Sequence, residues 1–108
     1  MAKYYVMGCY TAKAFQGFLA NPDTDRGAAI KAVASAVGGK VLDYDIIRGS
    51  YDFIVIVDAP NFEAMAAVKL ATEASGAVTN LSIMEPINMN NTAKLAAKAA
   101  SSYKAPGK

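Results

Sequence analysis

The apolar and polar positions of this chain change period several times, and each change marks an element. Residues 3–10 (KYYVMGCY) are rich in tyrosine and carry Val6, Met7 and Cys9, the composition of a strand. Residues 11–19 form a short helical segment whose apolar residues are Phe15, Phe18 and Leu19. Asn21-Pro22-Asp23-Thr24 reads as a turn, because Pro22 stops the helix before it. Thr24 or Asp23 then caps a second helix, with Asp25 in its first turn. That helix carries Ile30, Val33 and Val37 at helical spacing and ends at Gly38-Gly39.

Residues 41–48 and 52–58 predict two strands joined at Gly49-Ser50, a hairpin. Pro60 breaks it, and Asn61 or Ala59 precedes a helix over residues 62–74. Phe62, Met65, Val68 and Thr72 share one side of that helix; Lys69 sits in the same stripe and makes it less cleanly amphipathic, although a lysine stem can lie along apolar surface. Ser75-Gly76 ends it, and residues 77–85 make a fourth strand stopped by Pro86. Asn90-Asn91-Thr92 is a capping cluster before an alanine-rich helix over residues 93–103, with a thin Leu95, Ala99, Tyr103 stripe. Residues 105–108 should fray.

The order β-α-β-β-α-β is the split-βαβ, ferredoxin-like α+β pattern. It predicts a four-stranded antiparallel sheet with two helices on one face, plus a C-terminal helical tail. Residues 1–87 form the domain and residues 88–108 the tail. The third strand sharpens this picture, because residues 53–57 (FIVIV) show no polar alternation. An unbroken apolar strand has both faces buried. The two main helices cover one face, and the tail, mostly alanine and lysine, is a poor cover for the other. A wide exposed apolar patch is rare on a monomer. The expectation is a homodimer, or a higher homo-oligomer, through the open sheet face. The barrel-like space of such an assembly can hold a small-molecule ligand.

Composition narrows the chemistry. The chain has 108 residues, one domain's worth, and 54% are hydrophobic, but so many are alanine that the core must be modest. The amino terminus runs straight into a strand, so no signal peptide is expected, and no apolar run is long enough to cross a membrane. A cytoplasmic protein without membrane contact follows as the expectation. One cysteine excludes an internal disulfide. Zero histidines exclude histidine-based metal sites and Ser-His or Cys-His catalysis, and no cofactor is expected. The formal net charge is +2, but it is unevenly placed. Lys94, Lys98, Lys104 and Lys108 make the tail basic, while the domain is slightly acidic. A basic tail can touch nucleic acid, an acidic neighbour or a membrane surface, yet lysines on an alanine-rich helix also serve solubility. Two arginines and no arginine–aromatic cluster argue against nucleic-acid binding.

Arg48-Gly49-Ser50-Tyr51-Asp52 is the densest polar cluster. Arg48 can bind a carboxylate, and Tyr51 or Asp52 can move a proton. A hairpin turn accounts for the same glycine, serine and aspartate. Residues 21–27 resemble a calcium loop only superficially, since the glycine falls one place late and Ala32 stands at the twelfth position. Asp43 and Asp45 share a strand face with Val41 and Ile47, either as paired carboxylates or as a solvated edge. Tyr4 and Tyr10 share a face with Val6 and Gly8, and Gly8 leaves room beside them for a tyrosine-lined cavity or for core aromatics. Cys9 has no basic partner nearby in sequence and reads as inert.

Four passages resemble the GYD-domain family: YYVMGCYT, DRGAAIKAVASAVGGKV, GSYDFIVIVDAP and GAVTNLSI. The Gly-x-Tyr-Asp signature falls on Gly49, Tyr51 and Asp52, and the resemblance covers residues 3–85. Arg26 matches a basic residue that such proteins often carry at the start of the first long helix, while Thr79 stands where an arginine is more typical. The resemblance implies a ferredoxin-like fold of the dimeric α/β-barrel type and no particular activity. Similar barrels include cofactor-free monooxygenases, muconolactone-isomerase-like enzymes, haem-handling proteins and amino-acid-sensing domains. The lack of histidine counts against the usual haem ligation.

Three functions are compatible with these residues. The first is an oligomeric small-molecule-binding protein in which Arg48, Tyr51 and Asp52 face the ligand, with Tyr4, Tyr10 and Arg26. The second is a cofactor-independent isomerase or monooxygenase in the same cavity, with Tyr51 or Asp52 as proton shuttle. The third is an assembly subunit that contacts a partner through the basic tail.

Overall fold

The computed structural model describes residues 1–107, so the fraying expected of Lys108 falls outside the described residues. The chain runs β1 (Ala2–Tyr10), α1 (Ala12–Ala20), α2 (Arg26–Ala36), β2 (Lys40–Ile46), β3 (Phe53–Ala59), α3 (Phe62–Ala74), β4 (Val78–Met84) and α4 (Met89–Ser102). One antiparallel sheet has the order β2-β3-β1-β4, the ferredoxin-like arrangement with β1 and β3 in the middle. Burial alternates along both central strands. Tyr4, Val6 and Tyr10 of β1 and Phe53, Val55 and Val57 of β3 are buried under the helices. Met65 of α3 and Ala34 of α2 close over them. Each large apolar side chain among them is worth roughly 1.5–3 kcal/mol of burial, so this one layer carries the stability.

The helix caps are local and fixed by chemistry. Thr11 caps α1 and Asn61 caps α3 through their side-chain oxygens. The cap of α2 is Asp25, not Asp23 or Thr24. Its carboxylate accepts from the Ala28 amide, while the Thr24 hydroxyl is turned back onto the Asn21 carbonyl. The tail helix starts earlier than its capping cluster suggests, because Asn88 accepts from the Asn91 amide and draws Asn90 and Asn91 into the helix.

Two bulges set the registers of the edge strands. In β2, Val41 opposes Val57 but Asp43 opposes Ile56, so Leu42 is the extra residue. The bulge corrects one expectation: Asp43 and Asp45 lie on the face away from the helices, and Val41 on the face toward them. In β4, Cys9 opposes Thr79 and Met7 opposes Ser82, leaving Asn80 and Leu81 across from Gly8. Asn80 has φ 55°, a conformation that asparagine tolerates better than most residues. The bulge turns the Leu81 backbone toward α3, where Glu73 accepts its amide at 3.0 Å and Lys69 Nζ donates to its carbonyl at 2.8 Å. Lys69 and Glu73 also pair at 3.0 Å, so Lys69 is polar glue between α3 and β4 rather than a stem on apolar surface.

The second sheet face has no cover within the chain. Tyr5, Met7, Ile54 and Ile56 stand on it, partly exposed. Every residue of α4 is exposed, so the tail does not cover this face. The projecting tail raises the radius of gyration to 17.8 Å, where a compact chain of this length has about 13 Å. Among the described residues no helix is long and apolar enough to cross a membrane.

Candidate functional site

Tyr10, the last residue of β1, joins two of the polar residues that the sequence singles out, Asp52 and Arg26. Its amide donates to Asp52 Oδ2 at 2.8 Å. The Asp52 amide in turn donates to the Gly8 carbonyl at 2.8 Å, and the Asp52 carbonyl accepts from the Ile47 amide at 2.8 Å. Cys9 Sγ reaches the Ser50 carbonyl at 3.4 Å. The loop between β2 and β3 is thereby folded over the end of β1. Gly49 has φ 146°, which a side chain would strain. The Gly-x-Tyr-Asp signature therefore has a structural reason at two of its three residues: Gly49 allows the turn and Asp52 clamps it.

The Tyr10 ring sits in an aromatic cluster, 5.0 Å from Phe18, 5.1 Å from Phe53 and 6.3 Å from Phe15. Arg26, the first residue of α2, closes over this cluster, so the fold assembles an arginine–aromatic cluster that is absent from the linear sequence. Its Nε donates to the Tyr10 hydroxyl at 3.3 Å. Its guanidinium lies 5.3 Å from the Tyr10 ring and 5.4 Å from the Phe18 ring, both within cation–π range.

Beneath Arg26 lies a cavity of about 100 Å³ between the sheet and helices α2 and α3. Val6, Phe53, Val55 and Val57 form its floor; Ile30, Val33 and Val68 form its roof. Arg26 is the single charged residue in its lining, and Tyr10 and Thr72 are the other polar side chains. The Thr72 hydroxyl is turned back to the Val68 carbonyl of its own helix. Arg26 also borders a shallower cleft outside, lined by Ala14, Gly17, Phe18, Thr24 and Ala77.

The sequence candidates thus separate. Tyr10 and Arg26 line the cavity together. Asp52 stands behind Tyr10, bonded to its backbone and outside the lining. Arg48 is exposed and Tyr51 half-buried, both on the hairpin loop and neither in the lining. Tyr4 is buried in the core, edge-on to Phe62 at 6.1 Å, away from the cavity. The room expected beside Gly8 is filled, since a Cβ there would stand 2.7 Å from Phe53 Cζ and 2.9 Å from Leu81 Cδ1. Asp43 and Asp45 oppose Ile56 and Ile54 on the uncovered face. No cluster of three or more histidine, cysteine or acidic residues suited to a metal occurs among the described residues.

The apolar stripes that carry Ile30, Val33, Val68 and Thr72 are legible in the sequence, but the void between them is not. The signal was the alanine content: helices of alanine and valine over a sheet of valines are too thin to fill the layer. One ionisable group outside the cavity is clearly perturbed. The Leu81 amide, and then the Lys69 ammonium, hold the Glu73 carboxyl below its ordinary value.

Comparison with curated proteins gave no match. The family model of the GYD domain matches residues 4–96, which takes in the Gly49–Asp52 loop, the Arg26 helix and nearly all of the sheet. The chain belongs to the GYD domain family.

Proposed function

We propose that the protein is a small-molecule-binding module that works as a homodimer, each chain seating its ligand between its helices and its sheet. The observation that carries this reading is the apolar cavity of about 100 Å³ capped by Arg26 and Tyr10. Native interiors leave few voids larger than a water. This one has room for several waters, yet Arg26, Tyr10 and Thr72 are the only polar side chains in its lining. It is somewhat smaller than the ~150 Å³ apolar cavity known to take benzene, so its occupant has the size of a single ring or a short branched chain. Turnover is not part of this reading. The Asp52 carboxylate accepts the Tyr10 amide, and neither Asp52 nor Tyr51 lines the cavity.

The dimer half rests on a different observation. Tyr5, Met7, Ile54 and Ile56 form an apolar patch on a sheet face that the chain's own tail leaves open. A second copy packing sheet to sheet buries that patch on both partners.

Native mass spectrometry of the gently purified full chain tests both halves together. The expected result is a dimer carrying a reproducible small added mass. Val68→Phe, which fills the cavity, should remove the added mass and leave the dimer. A monomer overturns the assembly, and an added mass retained by Val68→Phe overturns the location of the ligand.

A further inference from the structure

We infer that the ligand is a small hydrophobic monocarboxylate, its apolar part in the cavity and its carboxylate on Arg26. The inference rests on the cavity reading above and adds the chemistry of the head group. Arg26 is the only charged residue lining either the cavity or the cleft outside it. The only ion pair among the described residues is Lys69 with Glu73, so no described carboxylate pairs with Arg26. The nearest acid in sequence, Asp25, is turned to the Ala28 amide as the helix cap.

An arginine held over two aromatic rings at the mouth of an apolar cavity is preorganised. Tyr10 takes its Nε, and the rings of Tyr10 and Phe18 fix the guanidinium plane. The Nη groups are left for a ligand. Arginine's planar fork matches a planar carboxylate. A phosphate dianion would call for a second cation, and neither lining supplies one. Arg26 borders both spaces, so an acid group in the outer cleft can meet it while an attached ring or chain occupies the interior.

The test compares phenylacetate with its neutral near-isostere 2-phenylethanol by calorimetry and amide-shift titration on the full-length protein. Wild type should bind phenylacetate about ten- to a hundredfold more tightly, the range of a charge-assisted hydrogen bond. Arg26→Gln should erase that preference, and Arg26→Lys should restore part of it. The perturbed amides should include Val33, Val55 and Val68. Equal affinity of the two compounds for wild type overturns the anion selectivity and leaves the cavity standing. Failure of both compounds to bind at millimolar concentration overturns the cavity reading together with this inference. The wild-type comparison alone decides the point if Arg26→Gln proves unstable.

Discussion

The Asp52 carboxylate holds the Tyr10 amide at 2.8 Å, across 42 positions of sequence. The β1–β3 ladder ends at the pair Gly8–Phe53, so Tyr10 lies two residues beyond the last strand partner on that side. A side chain takes over where the ladder stops. The same residue fixes the hairpin loop through its own amide and carbonyl. Asp52 thereby sets the end of β1, and through it the position of the Tyr10 ring that Arg26 covers.

Asp52→Ala should cost about 1–3 kcal/mol, the range for losing a hydrogen bond to a charged acceptor that leaves a partly buried amide unpaired. Asp52→Asn retains an acceptor and should recover part of the loss. Urea denaturation at neutral pH reads both. A proton-shuttling Asp52 would give the opposite signature, with Asn stable and inactive in any turnover assay.

Glu73 gives the protein an acid-sensitive joint. Its carboxylate accepts the Leu81 amide and pairs with Lys69, which holds its native pKa below the ordinary 4.5. A group whose pKa is lower folded than unfolded adds stability above its unfolded value and loses it as pH falls through its folded value. Wild type should therefore melt higher than Glu73→Gln at neutral pH, and the gap should narrow progressively as pH falls below about 4.5. Thermal melts of the pair from about pH 7 to about pH 3 check this. A gap that stays constant with pH would mean that the carboxylate's charge contributes nothing.

Two glycines should respond in opposite directions to the same substitution. Gly8→Ala pushes a Cβ to within 2.7 Å of Phe53 Cζ and 2.9 Å of Leu81 Cδ1, both of which must shift, and should cost about 1–3 kcal/mol. Gly17 lies within α1, and a Cβ there would meet nothing within 4 Å, so Gly17→Ala should stabilise by about 0.5–1 kcal/mol through helix propensity. Denaturant midpoints of the two variants should fall on either side of wild type.

The topology was legible because each element carries its own local signal. Pro60 and Gly38-Gly39 punctuate, Asn61 caps, and the apolar run over residues 53–57 sits in a central strand. The bulges were not legible. Leu42 and Asn80 look like ordinary strand residues, and one extra residue moves a side chain to the other face. The site was half legible. The hairpin cluster stood out by composition, but the bond from Asp52 to Tyr10 joins residues that only the sheet order brings together. Arg26 on Tyr10 spans 16 positions and depends on where α2 lands over the sheet, which no local pattern encodes.

The uncovered sheet face and the exposed tail make separable predictions. Met7 stands in the middle of that face, between Ile54 on β3 and Ser82 on β4. In a free chain a lysine there keeps its ammonium in water and costs little. In a sheet-to-sheet dimer the ammonium is buried without a partner, a cost of several kcal/mol. Met7→Lys should therefore weaken dimerisation by at least about a hundredfold, with the monomer's melting curve almost unchanged. Removal of residues 88–108 should leave the dimer intact and shift stability by no more than about 0.5 kcal/mol, because no α4 residue is buried. Sedimentation velocity across a concentration series measures the assembly, and urea melts measure the stability. Wild type that remains monomeric at about ten micromolar, where a specific interface of standard size holds together, would remove the dimer. A truncated chain that dissociates would instead make α4 the arm that joins the subunits, with its Leu95 and the adjoining Tyr103 packed on the partner rather than facing water.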